Sequence, residues 1–327
     1  MKTKRIVCTV FLCLFGSIAY ACNIPVFRYA LERWRPDVCE VIVFHEGLNQ
    51  AQEELIQEIS KNSINHGGKT NVEVIRSDVR NEKEPTRVSL WDTVRAQPKV
   101  VVPYVVIRTT LGTGKTVNHW HGKLEGFSKD RLLDSPVRTE LTKRLLKGDS
   151  VVWLLLKSKD AEKNQAVRKR LSDSLDRLSK TLELPDGIGL AGSELYSEVP
   201  LFLKFSILEI DVDDAREQML VQLISGFEPD NNDEPLLVPV FGRGRALEVI
   251  PAKQLDDGLI GDLTMFLCGA CSCQVKEKNP GFDLLLSIDW NQELYGDEAN
   301  APPPVASLER SPAKPPELLS IPPGRRK

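Results

Sequence analysis

Short apolar runs alternate with longer amphipathic stretches from residue 38 to residue 290, and this pattern predicts an α/β protein. Runs rich in Val, Ile and Leu predict buried strands, whereas apolar residues three and four positions apart predict helices. The predicted strands are residues 38–44, 72–78, 100–108, 117–124, 151–156, 205–212, 238–241 and 246–250, with a strand-like segment at 283–290. The predicted helices are residues 22–36, 50–63, 128–146, 160–182, 215–224 and 259–267, and the first is expected to dock on the domain that follows it.

One order of elements occurs twice. Strand, helix, strand, crossover, hairpin and helix follow one another in residues 37–148, and the same order starts again at residue 149. The chain has 327 residues, which is enough for two sizeable cores. We therefore predict tandem domains at 37–148 and 149–296, the second with a C-terminal extension, rather than one large sheet.

Named residues in both copies resemble the thioredoxin fold. Residues 41–44 (Val-Ile-Val-Phe) occupy the place of the strand before that family's active-site helix, and residues 102–107 resemble its cis-proline segment. Residues 238–241 (Val-Pro-Val-Phe) parallel that segment in the second copy. The resemblance implies two tandem thioredoxin-like domains with central mixed sheets. It also implies cis bonds at Pro103 and Pro239.

The thioredoxin reaction needs two cysteines at the start of the helix that follows the first strand, where backbone amides lower a thiol pKa. That position holds residues 45–49 (His-Glu-Gly-Leu-Asn) in the first copy and residues 157–160 (Lys-Ser-Lys-Asp) in the second. Neither stretch contains cysteine. The family's disulfide chemistry therefore cannot be transferred to either site, and whether the protein is an enzyme stays open, with the balance against it.

Three cysteines instead cluster late in the chain, at Cys268, Cys271 and Cys273. They follow a predicted helix with Gly269 placed as its C-cap, and a helix C-terminus raises a thiol pKa. Three interpretations remain: a structural disulfide, a soft-metal site with an unknown fourth ligand, and a redox role. Cys39, in the first predicted strand, is most simply a small buried apolar residue.

Histidines suggest a second, weaker metal site. His119 and His121 alternate along a predicted strand and should share one face, and His45 ends another strand of the same domain. Zinc or copper could bind such a group, but a catalytic zinc site needs three placed ligands. Since the sequence identifies no acidic partner, a hydrogen-bonded or surface pair is the preferred interpretation, and no cofactor is expected.

The two ends of the chain differ from the middle. A basic start, an apolar stretch at residues 6–18 and the Ala19-Tyr20-Ala21 site predict a signal peptide at residues 1–21. Cys22 follows directly, so lipidation and ordinary cleavage are both open. Eight of the chain's 21 prolines lie after residue 300, and we predict a disordered tail at residues 297–327.

Loss of Lys2, Lys4 and Arg5 with the signal peptide changes the formal net charge from −3 to −6, and an acidic chain is a poor ligand for nucleic acid. We expect an exported protein, located in the periplasm or anchored to a membrane of the cell envelope. The leading hypothesis is a non-catalytic interaction or scaffold protein with an envelope protein partner and membrane contact through a lipid on Cys22. The alternative is thiol-disulfide or soft-metal handling by the late cysteines.

Overall fold

A computed structural model of the protein describes residues 23–110, 116–226, 233–271, 275–296 and 301–302. The predicted signal peptide, Cys22, Cys273 and nearly all of the predicted tail lie outside these ranges. The strands are β1 (Cys39–His45), β2 (Val72–Asp78), β3 (Tyr104–Thr110), β4 (Thr116–Lys123), β5 (Val151–Leu156), β6 (Phe205–Ile210), β7 (Leu236–Phe241), β8 (Arg245–Ala246), β9 (Ile250–Pro251) and β10 (Phe282–Asp283). The α-helices are α1 (Val26–Arg33), α2 (Gln50–Ser60), α3 (Pro85–Arg95), α4 (Lys129–Leu133), α5 (Pro136–Leu146), α6 (Ala161–Thr181), α7 (Gln218–Ser225), α8 (Asp257–Cys268) and α9 (Trp290–Tyr295).

The strands form two mixed sheets with the same central order. In the first sheet the order is β2-β1-β3-β4, with β1 parallel to β2 and antiparallel to β3. The second sheet has the order β10-β8-β7-β5-β6, with β5 parallel to β6 and antiparallel to β7, and β9 also pairs with β7. This repeated strand order confirms the α/β class with two thioredoxin-like units. We call residues 37–148 the first unit and residues 149–296 the second unit.

The prolines correct the sequence-based alignment of the two units. The Val102–Pro103 bond is cis and precedes β3, and it is the one cis bond within the described ranges, so the expectation of a second at Pro239 is wrong. Phe44 faces Tyr104 across β1 and β3, as Leu156 faces Leu236 across β5 and β7. The residue equivalent to Pro103 is therefore Pro235, four positions before Pro239.

Pro239 lies inside β7, opposite Trp153. Its carbonyl accepts a hydrogen bond from the Leu247 backbone amide at 2.9 Å, so its backbone faces the β8–β9 side of the sheet. In an antiparallel pair the N–H and C=O of one residue point to the same neighbour, and proline has no N–H to give. The neighbouring strand is accordingly split there into β8 and β9.

Two helical regions differ from the prediction. Helix α3 was not predicted, because only Leu90 and Val94 are buried along it and its periodic apolar signal is weak. The predicted helix 128–146 is divided into α4 and α5, with Pro136 in the first turn of α5 and Ser135 as its N-cap. The predicted strand-like segment 283–290 holds only the end of β10 before α9 begins.

Helix α1 packs on the second unit, which corrects the expectation that it docks on the first. Phe27 and Ala30 belong to the same core as Trp153 and Phe241. The reason lies in the short Gly-Arg-Gly hairpin between β7 and β8, where a Cβ on Gly242 would come within 2.6 Å of the Ala30 Cβ. Only glycine permits this close approach, and the helix fits against it.

The C-terminal extension joins the two units. Leu284 and Leu286 pack into the core of the second unit, whereas Leu285 between them packs into the core of the first. The Asn71 side chain makes two hydrogen bonds to the residues that flank Leu285. It donates to the Leu284 carbonyl at 3.2 Å and accepts from the Leu286 amide at 3.0 Å. Alternate side chains of one extended segment point in opposite directions, so three consecutive leucines contribute to both cores.

A buried charge cluster lies where the chain enters the first unit. The Lys276 ammonium contacts Asp37 at 2.7 Å and also bonds to Asp283, and the Arg245 guanidinium lies 3.1 Å from Asp283. The Asp37 backbone amide donates to Asp283 at 2.6 Å. Because opposite charges offset one another and their remaining donors find carbonyls, the cluster can be buried and holds the start of β1 against the second unit.

Candidate functional site

The helix that follows β1 has an N-terminus capped by side chains of its own segment. Asn49 is the N-cap of α2, and its Oδ1 accepts a hydrogen bond from the Gln52 amide at 2.9 Å. In return the Gln52 side chain accepts from the Asn49 amide at 3.0 Å. This reciprocal arrangement uses the amides that a thioredoxin-type thiolate would need.

The corresponding helix of the second unit is capped at its N-terminus by a carboxylate. Asp160 is the N-cap of α6, and its Oδ1 accepts from the amides of Glu162 at 3.0 Å and Lys163 at 3.1 Å. Ser158 Oγ accepts from the Asp160 amide at 3.2 Å. A negative charge is thus already placed at the positive end of the helix dipole. Both caps were visible as Asn and Asp before amphipathic runs, although the sequence analysis did not assign them.

A groove of about 350 Å³ lies beside this second helix start, between Leu156–Lys159 and the beginning of β7. Two of its charged residues are paired within the chain. Lys157 contacts Asp211 at 3.1 Å, and Glu234 contacts Lys163 at 2.7 Å. Lysines and carboxylates are interleaved among the described lining residues, so these do not concentrate charge of one sign.

The two strand histidines do not form the expected pair. The β3–β4 register shifts between Ile107 and Arg108, where His121 lies opposite Val106 and the partner of Arg108 is Asn118. His119 Nε2 lies 2.9 Å from Thr109 Oγ1, whereas His121 Nδ1 lies 2.7 Å from the Tyr104 hydroxyl. Thr109 and Tyr104 are five positions apart on a regular strand and face opposite sides of the sheet. The β-bulge therefore places the imidazoles on opposite faces, and the expectation of a shared face is wrong.

Burial lowers the pKa of His119 to about 4, so this imidazole is neutral at physiological pH. His45 ends β1, and its Nδ1 is buried without a hydrogen-bond partner among the described residues. Within those residues no group of three His, Cys, Asp or Glu side chains is arranged to hold a metal ion.

The described cysteines are all buried. Burial raises the pKa of Cys39 to about 12 and that of Cys268 to about 12, so both thiols are protonated at neutral pH. Cys271 is 3% exposed and belongs to the same core as Cys268. Cys273 and Cys22 lie outside the described residues, and the choice among disulfide, metal and redox roles for the late cysteines stays a hypothesis.

The late cysteines lie next to the beginning of the described chain. The Cys271 amide donates to the Ile24 carbonyl at 2.9 Å, and the Val26 amide donates to the Gly269 carbonyl at 3.0 Å. Pro25 and Ala270 form an antiparallel bridge between these bonds. The segment before α1 and the segment after α8 are therefore paired, a contact over more than 240 residues that the sequence did not indicate.

Comparisons with known proteins add little to this picture. No protein-family model matches the chain, and the search of curated proteins found no match. Among solved structures, the first two thioredoxin domains of Eps1p from Naumovozyma dairenensis are similar at 11% sequence identity, over 70% of this chain and 90% of that chain, with a TM-score of 0.18. A TM-score this low carries no argument, and the fold assignment rests on the strand order and register described above.

The described helices do not include a candidate membrane span. None in the described ranges is both long enough and apolar enough to cross a bilayer.

Proposed function

We propose that the protein is exported to the cell envelope and acts there as a non-catalytic interaction or scaffold protein. The observation that carries the proposal is the state of the two helix starts. Asn49 and Asp160 already bind the amides that would activate a thiol in a thioredoxin, and neither position offers a sulfur. The fold still provides two sheets whose relative position is held by Leu284–Leu286 and by the buried charge cluster around Lys276 and Asp283, and this arrangement suits a scaffold.

Export is supported by the three-part layout of residues 1–21, and lipidation by the position of Cys22. The test is expression of the full chain in a bacterial host, followed by cell fractionation and intact-mass measurement of the purified protein. We expect an envelope protein that has lost residues 1–21, with or without a diacylglyceryl mass on Cys22. A full-length mass in the cytosolic fraction would contradict the export proposal.

The interaction role has its own test. Envelopes are solubilised gently, and the tagged protein is followed by size-exclusion chromatography with multi-angle light scattering. A defined complex with a second protein at fixed stoichiometry is the expected result, and a monomer in every detergent would contradict it. The alternative role for Cys268, Cys271 and Cys273 would gain support from stoichiometric metal in the same sample, measured by inductively coupled plasma mass spectrometry.

A further inference from the structure

A groove of about 350 Å³ separates the two units on the side where α1 ends and α9 begins. Val38 and Ile64 of the first unit line one side, and Leu284 and Trp290 of the second line the other. The volume falls in the range of small-molecule sites, which are commonly found at junctions between domains. Ile64 is 50% exposed and Val38 is 39% exposed, so the groove presents apolar surface to solvent.

The groove is also electropositive. Among the described residues its lining contains Arg35 and Arg243 but no carboxylate, although the chain as a whole carries a net charge of −3. Arg243 is held rigidly, because its guanidinium donates to the carbonyls of Leu31 at 2.7 Å and Glu32 at 2.9 Å. These bonds cap the C-terminus of α1 and leave the positive charge of Arg243 beneath the groove.

The Arg35 side chain, unlike that of Arg243, is available to bind a ligand. It is exposed at the groove, and its guanidinium makes no hydrogen bond or ion pair within the part of the chain that the structure describes. Only its backbone carbonyl is used, as an acceptor for Lys276 Nζ at 2.6 Å. A planar guanidinium with free donors is suited to bidentate binding of a carboxylate.

We propose that this groove binds a small acyl carboxylate, with Arg35 holding the carboxylate and Val38, Ile64 and Ile288 contacting the apolar part. The volume of the groove fits such a molecule, and the free C-terminus of a peptide that ends in an apolar residue is the other occupant that the test distinguishes. The proposal goes beyond the envelope function and does not depend on it.

The test is isothermal titration calorimetry of the full mature chain with two pairs of probes. The first pair is octanoate and its uncharged counterpart octanamide. The second is a short peptide ending in leucine, with a free or an amidated C-terminus. We expect saturable binding of octanoate, and binding about tenfold weaker or more for octanamide.

Two variants locate the site. Arg35→Gln should weaken binding of the carboxylate about tenfold without changing the weak binding of the amide, and Ile64→Ser should weaken both probes. Arg95→Gln and Val88→Ser, on the exposed face of α3, are the matched controls and should leave binding unchanged. All four side chains are at least partly exposed, so the variants should fold.

The outcomes separate clearly. Saturable binding of octanoate supports the proposal, whereas binding of the free-terminus peptide without binding of octanoate would overturn the assignment to a small acid. Absence of saturable binding in both pairs, equal binding of charged and uncharged probes, or unchanged affinity in Arg35→Gln would each overturn it.

Discussion

The two units share a strand order but differ in how their sheets are covered. In the second unit β8, the counterpart of β4, is buried, because β10 of the C-terminal extension pairs with its outer side. In the first unit β4 is the edge of the sheet, and each of its residues is at least partly exposed. The first unit also takes Leu285 and Met219 of the second into its core. Leu141 and Leu145 of the first unit in turn belong to the core of the second, so the two units depend on each other. The covered edge indicates that the second sheet is the better protected of the two.

Two ion pairs, one on each unit, differ in burial. In α1, which packs on the second unit, Arg28 and Glu32 are each 1% exposed and lie 2.9 Å apart. Arg28 also donates to the carbonyls of Ser197 and Val199. In the first unit, Arg80 and Asp78 form a surface pair at 2.7 Å. A buried pair that is fully hydrogen-bonded becomes costly when one partner is removed, whereas an exposed pair contributes little.

The largest expected effect is therefore that of Arg28→Ala. Removal of the buried guanidinium breaks one of the two ion pairs of Glu32, which keeps Arg33 at 2.9 Å. It also leaves the carbonyls of Ser197 and Val199 without this donor. We expect a loss of about 3–5 kcal/mol in the free energy of unfolding. Urea denaturation measures the loss, and Arg80→Ala is the matched control, with an expected change below about 1 kcal/mol. Equal effects of the two variants would show that α1 is not an integral layer of the second unit.

The next effect tests the shared leucines. Leu285→Ala should cost about 2–5 kcal/mol and reduce amide hydrogen-exchange protection in β1 and β3 more than in β5 and β7. Leu284→Ala should cost a similar amount but weaken both units, because the two units depend on each other. If Leu285→Ala lowered protection only in the second unit, the assignment of Leu285 to the first core would be wrong.

His119 should make the first unit sensitive to acid. Its pKa of about 4 in the folded state lies below the value near 6.5 in the unfolded state, so the unfolded chain binds more protons between these values. Stability is complete above pH 6.5 and falls as the pH drops toward 4, by about 3 kcal/mol at pH 4.

Urea titrations of wild type and His119→Gln at several pH values measure this effect. The variant should lose the dependence between pH 6.5 and 4, and His66→Gln, at an exposed position, should retain it. An unchanged slope in His119→Gln would assign the acid sensitivity to other groups.

The smallest expected effects concern the helix caps. Asn49→Ala and Asp160→Ala should each cost about 1 kcal/mol, and the conservative changes Asn49→Asp and Asp160→Asn should restore most of it. Thermal unfolding of the four variants provides the measurement. Loss of stability in the conservative variants as well would mean that these side chains do more than cap their helices.

The sequence predicted the strands well because most are short apolar runs, such as residues 151–156, and their order indicated both units. It missed α3, whose buried face is narrow, and it aligned Pro239 with Pro103 because both stand in Val-Pro strings, although only the pairing register shows that Pro235 is equivalent. The same limit applies to the histidines, since a one-residue bulge cannot be read from alternation. Contacts between distant segments, such as Ile24 with Cys271, depend on tertiary structure and leave no local pattern.

We propose that neither thioredoxin-like unit performs thiol-disulfide exchange at the start of its first helix, because these starts are capped by Asn49 and Asp160 without a sulfur and the described thiols are buried. The most direct test is the rate of insulin reduction by dithiothreitol in the presence of the purified mature protein. The account predicts the same rate as with dithiothreitol alone. A faster rate that is lost in Cys268→Ser or Cys271→Ser would contradict it.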